Sequence, residues 1–96
     1  MEKRLYILID ESLNPVYGCV QGGHAVAQFL LSNPDQEWNN HTLVYLYANV
    51  ESWKRKLQYY GIKFTEFHEP DLDNKLTSIA IESSNKKLFR NLKLVA

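Results

Sequence analysis

A chain of 96 residues closes around one hydrophobic core and leaves nothing for a second domain. With 45% hydrophobic, 23% charged and 12% aromatic residues, the composition is that of an ordinary folded protein and excludes extended disorder. Eleven basic residues balance eleven acidic ones, so no net field draws the molecule to polyanions or anionic lipid, and any nucleic-acid site has to be a local patch.

Cys19 is the single cysteine, which excludes an internal disulfide and fits a reducing compartment. The amino-terminal apolar run is broken at Asp10 after about five residues, too short for the core of a signal peptide. No other stretch approaches the roughly 18 apolar residues of a membrane helix. The expectation is a cytoplasmic protein without a membrane partner.

Leu5 to Ile9 is a continuous apolar run bounded by charge, the pattern of a strand buried on both faces of a sheet. Glu11 to Gly18 contains Ser12, Asn14, Pro15 and Gly18 and reads as a loop. From Val20 to Ser32 the apolar positions leave Gln21, His24 and Gln28 together on another side, as helical spacing requires. Gly22 and Gly23 in the first turn of that helix point either to close approach of a ligand or backbone, or to tight packing of helix on sheet.

Asn33-Pro34-Asp35 ends this helix, and His41 to Ala48 supplies a second central strand. Asn49 caps a helix over Val50 to Tyr60, with Trp53, Leu57 and Tyr60 as its apolar stripe and Gly61 as its stop. Lys63 to His68 alternates well enough for an edge strand, Glu69 to Asn74 is dense in turn formers, and Leu76 to Ile81 is a fourth strand. Asn85 to Leu92, with Leu88 and Leu92 at helical spacing, predicts a short last helix. The order β-α-β-α-β-β-α predicts an α/β fold, three-layer α/β/α, with a mixed, mainly parallel four-stranded sheet. Ligands in such sheets lie beyond the carboxyl ends of the strands, where the loop from Glu11 leads into the first helix.

That helix opens Cys19-Val20-Gln21-Gly22-Gly23-His24-Ala25, and the fourth strand reads Thr77-Ser78-Ile79-Ala80-Ile81. In this order the two segments resemble the type II peptidyl-tRNA hydrolases, in which a strand and loop precede a helix opening with Gln-x-x-His-Ala, and an acidic, threonine-rich loop leads into a strand of the form Thr-x-x-Ala-Ile. The chain departs from that pattern in two places. The family's lysines before the helix are replaced by Asn14-Pro15-Val16-Tyr17-Gly18, and the family's aspartate loop by Phe67-His68-Glu69-Pro70-Asp71-Leu72-Asp73, where Glu69 or Asp71 stands in for the acid.

Hydrolysing the ester between a peptide and the tRNA ribose requires a positioned, partly deprotonated water and donors for the oxyanion. The resemblance implies His24 with Glu69 or Asp71 as base and orienting carboxylate, and Thr77 as a hydroxyl donor. It also places Gln21, Gly22, Gly23 and Tyr17 on the substrate side, with tRNA or peptidyl-tRNA as partner. Each residue also has a plainer reading: His24 and Gln21 as the polar side of a helix, Thr77 as an ordinary strand residue. A non-catalytic member of the same fold would use the same cleft to bind a small molecule, a nucleic acid or a protein. A homodimer would use an exposed sheet edge or Trp53, Tyr59 and Tyr60.

No metal or other cofactor is expected. Glu69, Asp71 and Asp73 lack the spacing and glycine of a calcium loop, and His24, His41 and His68 are scattered with only one cysteine to join them. Lys86, Lys87, Arg90 and Lys93 form the densest basic stretch and Lys54 to Lys56 a second. Such charges suit phosphate contacts or a solvated helix face.

Overall fold

The strand β1 (Arg4–Asp10) organises the molecule, because all of Leu5 to Ile9 are buried and consecutive side chains of a strand point to opposite faces. The computed structural model describes residues 1–96. Its further elements are α1 (Pro15–Ser32), β2 (Leu43–Ala48), α2 (Val50–Tyr59), β3 (Thr65–Glu69), a single 3-10 turn at Pro70–Leu72, and β4 (Lys75–Ser83). Tyr6 and Leu8 enter a cluster with Leu46, Val50, Leu57 and Ile81, beneath α2. Leu5, Ile7 and Ile9 enter another with Ala25, Phe29, Trp38 and Ala80, beneath α1. The unbroken apolar run of β1 is what coverage on both faces requires.

The sheet is mixed, in the order β2-β1-β4-β3. Only β1 and β2 run parallel; β1 with β4 and β3 with β4 are antiparallel. The expected mainly parallel sheet is thus corrected to a mainly antiparallel one. Two features combine. Pro70 to Asn74 can only reverse the chain, whereas a parallel neighbour needs a crossover of a dozen or more residues, and β4 then inserts between β1 and β3, so that both of its pairings are antiparallel. Asp73 and Asn74 make the reversal at positive φ, 53° and 59°, a region in which Asp and Asn are several-fold enriched.

Two boundaries also move. The helix α1 begins at Pro15 and not at Val20, because Asn14 caps it by accepting the Tyr17 N–H (2.9 Å) and Pro15 takes the first helical position. Residues that read as a loop are therefore the first turn of the helix. The last helix does not form. Asn85 to Leu92 is a series of turns held by i to i+3 bonds such as Leu92 N–H to Phe89 O (3.0 Å), and Phe89 plugs into the core beside Tyr6 (ring centroids 5.1 Å apart).

The strand β2, expected to be central, lies at the edge of the four-stranded sheet. Its apolar run is explained by the carboxyl-terminal chain that covers its outer side, where Tyr47 N–H donates to Lys93 O (2.9 Å) and Val95 N–H to Tyr45 O (2.8 Å). The opposite edge, β3, carries Glu66 between Lys54 and His68, each 2.9 Å away. Such charges blunt an open strand against further pairing. No helix is long and apolar enough to cross a membrane.

Candidate functional site

The strand β4 carries a β-bulge. Phe67 pairs with Ser78 but His68 pairs with Leu76, so Thr77 is an extra residue on its strand. A bulge re-aims side chains that strict alternation would send to opposite faces. Here Thr77 and Ser78 both reach α1: Ser78 Oγ donates to the Gln21 main-chain oxygen (2.9 Å) and Thr77 Oγ1 to Gln21 Oε1 (2.6 Å). All three residues are fully buried.

Gln21 passes the chain of bonds on. Its Nε2 donates to Glu69 Oε1 at 2.9 Å, and the direction is fixed by donor arithmetic. An ionised carboxylate only accepts, so the amide nitrogen must face Glu69 and the amide oxygen must face Thr77, which therefore donates. Glu69 sits at the end of β3 with only 8% of its surface exposed. It also accepts the Tyr17 hydroxyl and the Asp71 N–H, both at 3.4 Å.

The charge state follows. The hydrogen bond from Gln21 holds the Glu69 carboxyl below the usual glutamate range against the burial that pushes it up, with help from the Asp71 N–H, the Tyr17 hydroxyl and the nearby His24. Tyr17 is pushed up, first by burial and then by the Glu69 charge. At neutral pH the site therefore holds an anionic Glu69 beside a protonated Tyr17.

His24 occupies the next helical position along the same side of α1, exposed, with its ring stacked on Phe67 (centroids 4.7 Å apart, planes 5° from parallel). It hydrogen-bonds neither Glu69 nor Asp71, so the stack alone orients it. Asp71 is exposed on the 3-10 turn and is tied in only through its main-chain N–H. The two glycines divide the two roles foreseen for them. A Cβ on Gly22 would lie 2.8 Å from the Tyr45 ring, whereas one on Gly23 would meet nothing within 4 Å. Gly22 thus serves helix-on-sheet packing and Gly23 lies open beside His24.

The structure therefore joins Gln21, Glu69, Thr77 and Tyr17 directly, sets His24 and Gly23 at their rim, and leaves Asp71 on the outside. Thr77 is buried with its proton given to Gln21, so it braces the site from below and does not face a ligand. Sequence reasoning missed Ser78, whose hydroxyl looks ordinary until the bulge is known, and Lys75. The Lys75 ammonium, reaching over from β4, lies 3.3 Å from Ser12 Oγ and 3.7 Å from Asp10 Oδ2. It places a cation at the loop before α1, which has no lysine of its own. Its position two residues before Thr77 is the one signal that could have flagged it.

No group of three or more His, Cys, Asp or Glu side chains is arranged to hold a metal ion. Two cavities lie elsewhere. One of about 220 Å³ is lined by Phe29, Asn33, Gln36 and Phe64 near the end of α1, and one of about 460 Å³ lies between α2 and the carboxyl-terminal turns. Neither is lined by Gln21, His24 or Glu69. At the site, ionised Glu69 can stabilise a neighbouring positive charge, the His24 imidazole can exchange a proton with water, and the Tyr17 hydroxyl is a donor held by only a long bond.

No protein-family model matches the chain, and no curated sequence matches it. A solved structure of a protein of unknown function from Agrobacterium tumefaciens is similar to it over 100% of this chain and 99% of that one, with a TM-score of 0.69 and 11% sequence identity. At that identity the likeness establishes a shared α/β fold and carries no chemistry.

Proposed function

We propose that the chain is a cytoplasmic hydrolase of the type II peptidyl-tRNA hydrolase kind, a three-layer α/β/α domain acting on the ester that joins an N-acyl amino acid to tRNA. One observation carries this reading. Gln21 of the Gln-x-x-His-Ala opening donates to Glu69 of the acidic loop (2.9 Å) and accepts from Thr77 of the Thr-x-x-Ala-Ile strand (2.6 Å). The segments on which the resemblance rests thus meet in a single bonded chain.

In this mechanism His24 takes a proton from the attacking water, and the fixed negative charge of Glu69 stabilises the imidazolium that results. The imidazolium returns that proton to the ribose oxygen as the ester carbon–oxygen bond breaks, releasing the N-acyl amino acid and the tRNA hydroxyl. The Tyr17 hydroxyl turns from its 3.4 Å contact with Glu69 toward the developing oxyanion. Gln21 and Thr77 act as positioning residues that keep Glu69 anionic and in place. Lys75 supplies a cation for a phosphate of the RNA.

The test is release of a labelled N-acyl amino acid from acyl-aminoacyl-tRNA at low salt, by the wild type and by His24→Ala. The expected result is turnover that falls by about 10²-fold or more in the variant, the usual contribution of a general base. Absence of turnover from the wild type would overturn the proposal. The runner-up, a binding module on the same scaffold, is favoured by two features: the Thr77 and Gln21 donors are spent internally, and His24 has no hydrogen bond to a carboxylate. It predicts tRNA bound without turnover.

A further inference from the structure

The balanced charge of the chain hides a strong segregation. Residues 50–63 and 84–96 hold eight of the eleven basic side chains and a single acid, Glu51. The fold brings these two stretches together, and the cavity of about 460 Å³ lies between them. Its walls are Trp53, Leu57, Ile62, Leu88 and Leu92, its charged lining residues are Lys56, Lys87 and Arg90, and no acid lines it. Its size falls within the roughly 300–1,000 Å³ of ligand clefts.

Two contacts narrow the occupant. The Lys56 ammonium lies 4.3 Å from the centre of the Trp53 ring, so one cation is already held at the apolar wall by attraction to the indole. Phe89 packs against the same ring at 5.1 Å in an edge arrangement. With both neighbours in place the indole is not the free stacking platform that single-stranded nucleic acid uses. An apolar interior whose charged lining residues are all cations, with Tyr60 and Asn91 as its neutral polar ones, instead matches a molecule that is apolar along most of its length and negative at one end. Burial of the chain supplies the affinity, and the cations select the head group.

We infer that the cleft between α2 and the carboxyl-terminal turns binds an amphiphilic carboxylate, an acyl chain ending in an anionic head held by Lys56, Lys87 and Arg90. The site lies away from Gln21, His24 and Glu69 and does not depend on the hydrolase reading. The experiment is a titration of the full chain with dodecanoate, followed by the indole N–H signal of Trp53 and the backbone amides of residues 87–92. Parallel titrations use dodecyltrimethylammonium, tRNA, and a Lys87→Glu/Arg90→Glu variant whose substitutions are at exposed positions.

The expected result is a saturable shift of those signals with dodecanoate, about tenfold weaker binding or worse in the variant, and no saturable shift with the ammonium amphiphile. Equal response to the two head groups would reduce the effect to apolar partitioning and overturn the inference, as would unchanged affinity in the variant. Shifts produced by tRNA and not by dodecanoate would overturn it in favour of a nucleic-acid surface.

Discussion

The two faces of the sheet use the same strands in different ways. Beneath α2 the buried side chains are apolar apart from the Tyr6 hydroxyl, which has no partner. Beneath α1 the apolar cluster gives way at one end to Gln21, Thr77 and Ser78, and at the other to Asn33, every one of them hydrogen-bonded, and beside Asn33 to Gln36, whose buried Oε1 has no partner. A buried polar group costs stability unless it is paired, so the paired chain through Gln21, Thr77 and Ser78 is costly to assemble by chance and is destabilising when broken in part. The α2 face reads as a core, and the α1 face as a core with a site built into its end.

The comparison is easiest to break at the places where the two faces are tuned. At Gly22 a methyl group would press on the Tyr45 ring and on Ile9 (3.1 Å). Gly22→Ala should lose about 1–3 kcal/mol by overpacking, whereas Gly23→Ala, in open space, should gain up to about 1 kcal/mol from helix propensity. Chemical denaturation of the two variants reads opposite signs if only Gly22 serves packing.

A second pair sets the faces against each other. Thr77→Val keeps the shape of the side chain but strands the buried Gln21 oxygen, at a cost of about 1–3 kcal/mol. Tyr6→Phe removes a hydroxyl that has no partner and should be neutral or slightly stabilising. Equal effects from the two would mean that the α1 network is no better satisfied than the α2 core.

Acid sharpens the comparison with a smaller effect. Glu69 is held below the usual glutamate value of about 4.3, chiefly by Gln21. Glu66 is lowered as well: burial pushes it up, but the hydrogen bonds from Lys54 and His68 outweigh that. Groups whose folded pKa is depressed contribute stability that is complete above the unfolded value and is lost as the pH falls through the folded one. Melting temperature should therefore decline below about pH 4.3, and more shallowly in Glu69→Gln than in the wild type.

The parts legible in the sequence are those fixed by local pattern. β1 shows itself through an apolar run that only two-sided burial explains, and α2 through the Asn49 cap (accepting Ser52 N–H at 3.1 Å) and its amphipathic face. Asn14-Pro15 misleads because the same residues initiate turns and helices, and only the Tyr17 N–H bond to Asn14 decides between them. The direction of the sheet depends on where β4 inserts, which no strand records in its own residues. Likewise the sequence offers both Glu69 and Asp71 as the acid. Which of them turns inward depends on the bulge at Thr77 and on Gln21 across the helix, contacts made between residues 48 apart in the chain.

The central claim is that the Gln21–Glu69–Thr77 chain serves catalysis as well as folding. Its most direct test is release of labelled N-acyl amino acid from acyl-aminoacyl-tRNA by the wild type and by Glu69→Gln at low salt, with thermal melts run alongside. The substitution removes the charge but leaves an amide oxygen to accept from Gln21. The account predicts turnover in the wild type, a fall of about 10²-fold in the variant, and melting temperatures within a few degrees at neutral pH. Turnover unaffected by the substitution, or none in a well-folded wild type, would contradict it.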